Sequence, residues 1–144
     1  MNIETTKRST FTISCLGGGF SPADSTTYYF GLNSITNITA ANMDFSVGYV
    51  FTIIGAILTI AANTTSGSNE NCTLQIRNTT QATSSSIGTF QTNGADAVTI
   101  AYFSFTNLNI AVAASDLIAV QVDTPAWASN PIDTRWYCTL ICER

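Results

Sequence analysis

The side chains whose types could do chemistry are nine carboxylates, four cysteines and the serines, and their spacing builds none of the usual sites. Asp24, Asp44, Glu70, Asp96, Asp116, Asp123 and Asp133 stand singly, mostly beside Ser, Asn or Gly, where a carboxylate bonds its own turn. Glycoside hydrolysis needs two such groups facing across a cleft, and a calcium loop needs a D-x-D-x-D-G run that is absent. No serine lies in a G-x-S-x-G elbow, and the sequence has no histidine to serve as base or metal ligand. Gly17-Gly18-Gly19 lacks the Gly-Lys-Ser/Thr continuation of a phosphate loop and reads as a hinge after a strand. The expectation is a protein that is not an enzyme, with no catalytic residues, no metal and no cofactor.

Cys15, Cys72, Cys138 and Cys142 show no CxxC pairing. On a strand, Cys138 and Cys142 share a face but sit roughly 13 Å apart, beyond the reach of a disulfide. The first ten residues contain no apolar signal stretch, which places folding in a reducing cytosol if Met1 is the native start. Buried free thiols are the first expectation, and a bridge from Cys15 to the C-terminal strand is the alternative. Four N-x-S/T sequons, at Asn37, Asn63, Asn71 and Asn78, carry no message in a chain this rich in Asn, Ser and Thr.

Composition decides what positions these groups. The 144 residues include 23 Thr, 15 Ile and 6 Val, β-branched side chains that lose least in strands. Alternation is clear in residues 10–16, 71–78, 107–112, 117–122 and 135–142, and turn signals separate the runs. Residues 26–32 and 97–105 add strands. Residues 47–62 form one long strand or two bent at Gly55, and residues 79–94 form a Ser/Thr-rich connection with a short strand near 89–92. A helical turn is expected around 40–43. The fold class is all-β: an antiparallel β-sandwich, jelly-roll-like, of about eight strands. It occupies residues 10–144 as a single domain behind a flexible arm at residues 1–9.

Only 10% of residues are charged and the net charge is −4 with five basic groups, which excludes neutralising a nucleic-acid backbone. Residues 47–62 are uncharged, yet too short and too polar at Thr52 and Thr59 for a membrane span. That stretch is apolar on both faces, with Val50, Ile54, Leu58 and Ile60 opposing Tyr49, Phe51, Ile53 and Ile57. The last strand likewise sets Trp136 and Leu140 against Tyr137 and Ile141. A second apolar face must be covered. Tyr49, Phe51, Ile53, Ile57, Tyr137 and Ile141 are therefore candidate subunit-interface residues, the other cover being a loop of the same chain. Tyr28, Tyr29 and Trp127, with Asn130, are a candidate glycan or partner contact, the alternative being that Tyr28 and Phe30 or Trp127 plug the sandwich ends or an interface. Lys7 and Arg8 make residues 1–9 a candidate anchoring arm.

Four motifs in order carry a family likeness: TTYYFG at 26–31, GAILT at 55–59 with GSNENCTLQIR at 67–77, NLNIAVAASD at 107–116, and TPAWASNP at 124–131. Together they resemble the small β-sandwich (jelly-roll) proteins and modules of tailed-bacteriophage virions, over almost the whole chain. The resemblance implies a structural virion protein, typically a homotrimer, serving as capsid decoration, head fibre or tail-fibre tip. Its partners would be its own copies and capsid or other virion proteins, and its location the virion, assembled in the host cytoplasm. The lack of a long upstream stalk favours a free-standing decoration or adaptor over a fibre tip. The other function considered is a carbohydrate-binding receptor-recognition module of a phage fibre, with a host surface glycan as ligand.

Overall fold

The computed structural model describes residues 8–33, 36–62, 70–92 and 100–144. Its strands, in chain order, are β1 (Thr10–Phe20), β2 (Thr27–Phe30), β3 (Thr36–Asn37), β4 (Phe51–Ala61) and β5 (Asn71–Asn78), then β6 (Thr83–Gln91), β7 (Ala101–Phe105), β8 (Ile110–Val112), β9 (Ile118–Asp123) and β10 (Thr134–Glu143). A 3-10 turn, Ala40–Asn42, stands at the expected helical turn. No helix among the described residues is long and apolar enough to cross a membrane.

All strand pairs among the described residues are antiparallel. They form two sheets, one ordered β1-β10-β4-β7 with β8 also on β4, the other ordered β3-β2-β9-β5-β6. β7 pairs with Ala56–Ile60 and β8 with Phe51–Ile53, so they are two halves of one strand position beside β4. With the two-residue β3 set aside, eight strand positions remain. The first pairs with the eighth (β1 with β10), the second with the seventh (β2 with β9), the third with the sixth (β4 with β7 and β8) and the fourth with the fifth (β5 with β6). A long hairpin wrapped into two facing sheets has this order, which is the jelly roll.

The core lies between the sheets. Cys72, Leu74, Ile76, Val120, Val122 and Phe30 face Cys15, Ile53, Leu58, Ile60, Trp136 and Leu140, all essentially without solvent contact. β5 alternates as its sequence suggests, with Cys72, Leu74 and Ile76 inward and Thr73, Gln75 and Arg77 partly exposed.

Three sequence expectations are corrected. Gly17 to Gly19 do not break β1, which runs on to Phe20. Gly17 is buried opposite Trp136, and a Cβ there would sit 3.5 Å from the Trp136 Cβ and 2.9 Å from Thr36 Oγ1. The glycine makes room for the Thr36 hydroxyl, which a Cβ would crowd, whereas Trp136 and Phe30 would be met only at ordinary contact distance. Residues 83–91, expected as mostly connection, form a full strand because β5 supplies a complete ladder partner. In β4, a bulge leaves Ile141 opposite Gly55 but Cys142 opposite Ile53. The extra residue reverses the side-chain alternation. Phe51 and Ile53 therefore point into the core before the bulge, as do Ala56, Leu58 and Ile60 after it.

The four cysteines are free and buried. Cys15 and Cys138 are register partners on neighbouring strands. Burial pushes the thiols of Cys15 and Cys72 up to about 12 and that of Cys142 to about 11, and raises Cys138 further. An unfolded thiol ionises near 9, so the buried neutral thiols contribute stability that is complete below pH 9. That contribution falls away as pH rises from about 9 towards 12. We expect the urea midpoint to drop over this range, and no thiol to react with a disulfide reagent at pH 8 until urea unfolds the chain. Rapid labelling of the folded protein would contradict the burial.

Candidate interaction surface

The outward side of the β1-β10-β4-β7 sheet follows from its register. Leu16, Tyr137, Thr59 and Tyr102 lie in one row across four strands, and Ser14, Thr139, Ile57 and Ser104 lie in the next. Ile141, half-buried and opposite the buried Gly55, continues the surface. Tyr102 is 69% exposed, Ile57 40% and Tyr137 39%. No charged side chain stands in these rows, and Arg135 and Glu143 are at opposite ends of β10.

Of the six candidate interface residues, Ile57, Tyr137 and Ile141 share this face, and Tyr49 is half-buried where Arg144 covers its ring at 4.5 Å. Phe51 and Ile53, by contrast, are core residues. Tyr102 is the member that sequence reasoning missed. Its alternation with Phe103 inside residues 101–105 was the available signal, because a strand with a half-buried Phe on one face turns the tyrosine to the other.

The outward side of the other sheet is different in kind. The Asp123 carboxylate accepts from Thr27 Oγ1 at 2.7 Å, Gln121 Nε2 at 3.0 Å and Gln75 Nε2, and Ser84 Oγ donates to Gln121 Oε1 at 2.8 Å. This network stitches β2, β9, β5 and β6 together and uses up its own donors. Tyr29 stands in register with Gln121 at its border, half-buried.

Tyr28 and Trp127 are buried inside one end of the sandwich, which corrects their assignment to an exposed glycan contact. Tyr28 packs 5.0 Å from Phe20, and its hydroxyl accepts from Ala23 N at 2.8 Å. Trp127 is only 5% exposed, and its backbone N–H donates to Asp24 Oδ1 at 3.2 Å. Asn130 is exposed and donates through Nδ2 to Pro22 O at 3.1 Å, tying the loop at 124–131 to the one after β1. The two rings plug the end because loops alone cannot close an open sandwich without apolar filling.

At the opposite end a cavity of about 360 Å³ is lined by Val50, Ile110, Val112 and Asp116. Asp116 is spent on structure. It accepts from Ala113 N at 2.9 Å, Asn78 Nδ2 at 2.8 Å and Gln81 Nε2 at 3.1 Å, which together hold its carboxyl below the ordinary carboxylate range. Among the described residues no three metal-ligating side chains gather. Of the candidate arm, Lys7 lies outside the described residues, and Arg8 forms an exposed ion pair with Glu143 at 3.0 Å.

No family model matches the chain, and no curated protein does. Among solved structures it is similar to a chain of infectious bursal disease virus strain Gx, at 13% identity and a TM-score of 0.48, with 99% of this chain matched to 36% of that one. A chain of the cyanophage Pam1 capsid asymmetric unit gives 15% identity and 0.48, covering 95% and 84%. A mutant VP2 protein of infectious bursal disease virus in derived T=1 particles gives 11% and 0.46, covering 99% and 35%. The chain thus spans little more than a third of the bursal disease virus chains. At these identities and scores the matches lend it neither a function nor a site.

Proposed function

We propose that this chain is a structural virion protein of a bacteriophage, an oligomeric capsid decoration, head-fibre or adaptor protein. It self-associates through the outward face of its β1-β10-β4-β7 sheet and binds capsid or other virion proteins. The observation that carries the assembly role is that face, where Tyr102, Tyr137, Ile57 and Ile141 lie across three neighbouring strands without a charge between them. Exposed apolar area costs about 25 cal/mol per Å² against water, and a second copy removes that cost on both partners at once. The opposite sheet supports the choice of face, since Thr27, Gln75, Ser84, Gln121 and Asp123 on its outward side already bond one another. The virion setting and the trimer rest on the likeness of the motifs at 26–31, 67–77, 107–116 and 124–131 to tailed-phage virion modules.

Light scattering at several concentrations tests this reading. The expected mass is three times 15.3 kDa. The double variant Ile57→Lys, Tyr102→Lys is expected to lose the trimer mass with its far-ultraviolet circular dichroism unchanged. A wild-type monomer at every concentration overturns the reading. The carbohydrate-binding fibre module, with Tyr29 and Asn130 as its outward residues, would then take its place. An oligomer indifferent to the double variant overturns the choice of face.

A further inference from the structure

β1 is the edge strand of its sheet, and its ladder has a free side. Ser9 and Arg144 exchange both backbone hydrogen bonds, at 3.0 and 2.9 Å. The register runs from there without a shift as far as Gly17. In an antiparallel ladder such doubly bonded pairs alternate, so Phe11, Ile13 and Cys15 turn their backbone groups to β10 while Thr10, Thr12 and Ser14 turn theirs outward. Leu16 confirms the parity, because its N–H points away from β10 and donates to Gly31 O at 2.9 Å. Thr10, Thr12 and Ser14 are exposed, and among the described residues no backbone partner meets their outward groups.

Among the described residues nothing blunts this edge. Residues 10–16 carry no charge and no proline, the usual protections of a free strand. Beside it lies an open groove of about 480 Å³, walled by Phe11, Leu32, Phe45, Val47 and Tyr49, with no charged side chain among the described residues of its lining. An uncharged groove along an unpaired ladder fits an added strand.

The chain itself names the occupant. Residues 1–7 lie outside the described residues and connect at Arg8, at the N-terminal end of β1. Their own copy of the groove is a poor destination, because Ser9 pairs with Arg144 and Arg8 with Glu143, which keeps the chain alongside β10 as it leaves the sandwich. Reaching back would require a reversal at those two residues. A second copy's groove requires none. We propose that residues 2–7 of one copy add as an extra strand to the free edge of β1 in a second copy. Six extended residues span about 20 Å, enough to run along Thr10 to Leu16. Alternation sets Ile3, Thr5 and Lys7 on one face, and Ile3 is the apolar side chain that enters between Leu32, Val47 and Tyr49. The exchange requires two copies but not the tyrosine face of the proposed assembly.

Amide hydrogen exchange read by NMR tests it on the full chain. Thr12 and Ser14 amides are expected to be protected, and deletion of residues 2–7 to speed their exchange at least tenfold, with Ile13 and Cys15 unchanged. A synthetic peptide of residues 1–8 in excess should restore protection to the shortened chain. Thr12→Pro removes an outward N–H without touching the β10 ladder, so it should speed Ser14 exchange while the fold survives. Fast exchange at Thr12 and Ser14 in the full chain overturns the proposal. So does protection that survives dilution to monomer, which would place the arm in its own groove. The two proposals separate cleanly: Ile57→Lys, Tyr102→Lys should leave Thr12 and Ser14 protected at concentrations where arm exchange holds copies together, and deleting residues 2–7 should leave the tyrosine face intact.

Discussion

Trp136→Ala is expected to remove about 3–5 kcal/mol of folding stability, the upper range for an aromatic truncated in a core. Trp136 has no solvent contact. Its ring stands 4.9 Å from Phe20 in an edge contact at 89°, and 6.0, 6.1 and 6.4 Å from Tyr28, Phe30 and Phe90. Those partners come from β1, β2 and β6, so one side chain on β10 links both sheets, and its removal empties the centre. A domain of this size has a total stability of only about 5–15 kcal/mol. A thermal midpoint lowered by roughly 6–20 °C follows from about 2–4 °C per kcal/mol. The indole Nε1 is buried with no hydrogen-bond partner among the described residues, so Trp136→Phe gives up volume but also removes an unsatisfied donor. Urea melts should therefore rank the variants wild type, Phe, then Ala. An alanine variant within 1 kcal/mol of wild type would mean that the core recloses around the gap and that the sheets do not depend on this ring.

Where side-chain alternation and backbone pairing agree, the elements are legible in the sequence. β5 is the clearest case: its bounds and inward face are those of the alternating run at 71–78. The last strand behaves likewise, with Trp136, Cys138 and Leu140 inward and Tyr137 outward. The failures share a cause, which is that a residue's partner lies far away in sequence. β6 is Ser-rich and mostly exposed, so no side-chain pattern announces it, and β5 alone makes it a strand. The bulge opposite Ile141 and Cys142 lies beside Gly55, a bend the sequence marks, but nothing local says that the alternation reverses there, sending Phe51 and Ile53 inward while Ile57 keeps its outward place. Gly17 reads as a hinge until the Thr36 hydroxyl is set beside it. Tyr28 and Trp127 sit next to turn residues and so read as exposed, yet an open sandwich end needs filling. The tyrosine face was half visible: Ile57, Tyr137 and Ile141 could be named from period-2 patterns, whereas Tyr102 joins them only through the β4–β7 register.

Gly31→Ala is the second large effect expected, and it ties the fold to the groove beside β1. Gly31 is buried where the end of β2 meets β1, and its carbonyl accepts the Leu16 N–H. A Cβ at this position would collide with the Met43 carbonyl oxygen and stand 3.2 Å from the Phe45 ring. The Met43 carbonyl belongs to backbone, which cannot swing aside as a side-chain end can. The segment it belongs to is anchored two residues later, where Phe45 and Ile118 exchange backbone hydrogen bonds at 2.9 Å each. Relief must therefore come from breaking that bridge or from lifting β2 off β1. Either route puts the cost at or above the roughly 1–3 kcal/mol typical of overpacking. The displaced segment is also the groove wall, since Phe45 and Val47 line it. If the arm docks there, Gly31→Ala should cost binding of the 1–8 peptide as well as stability. A midpoint change below about 0.5 kcal/mol would show that the backbone near Met43 yields freely, and the groove would then have no fixed wall for a strand to meet.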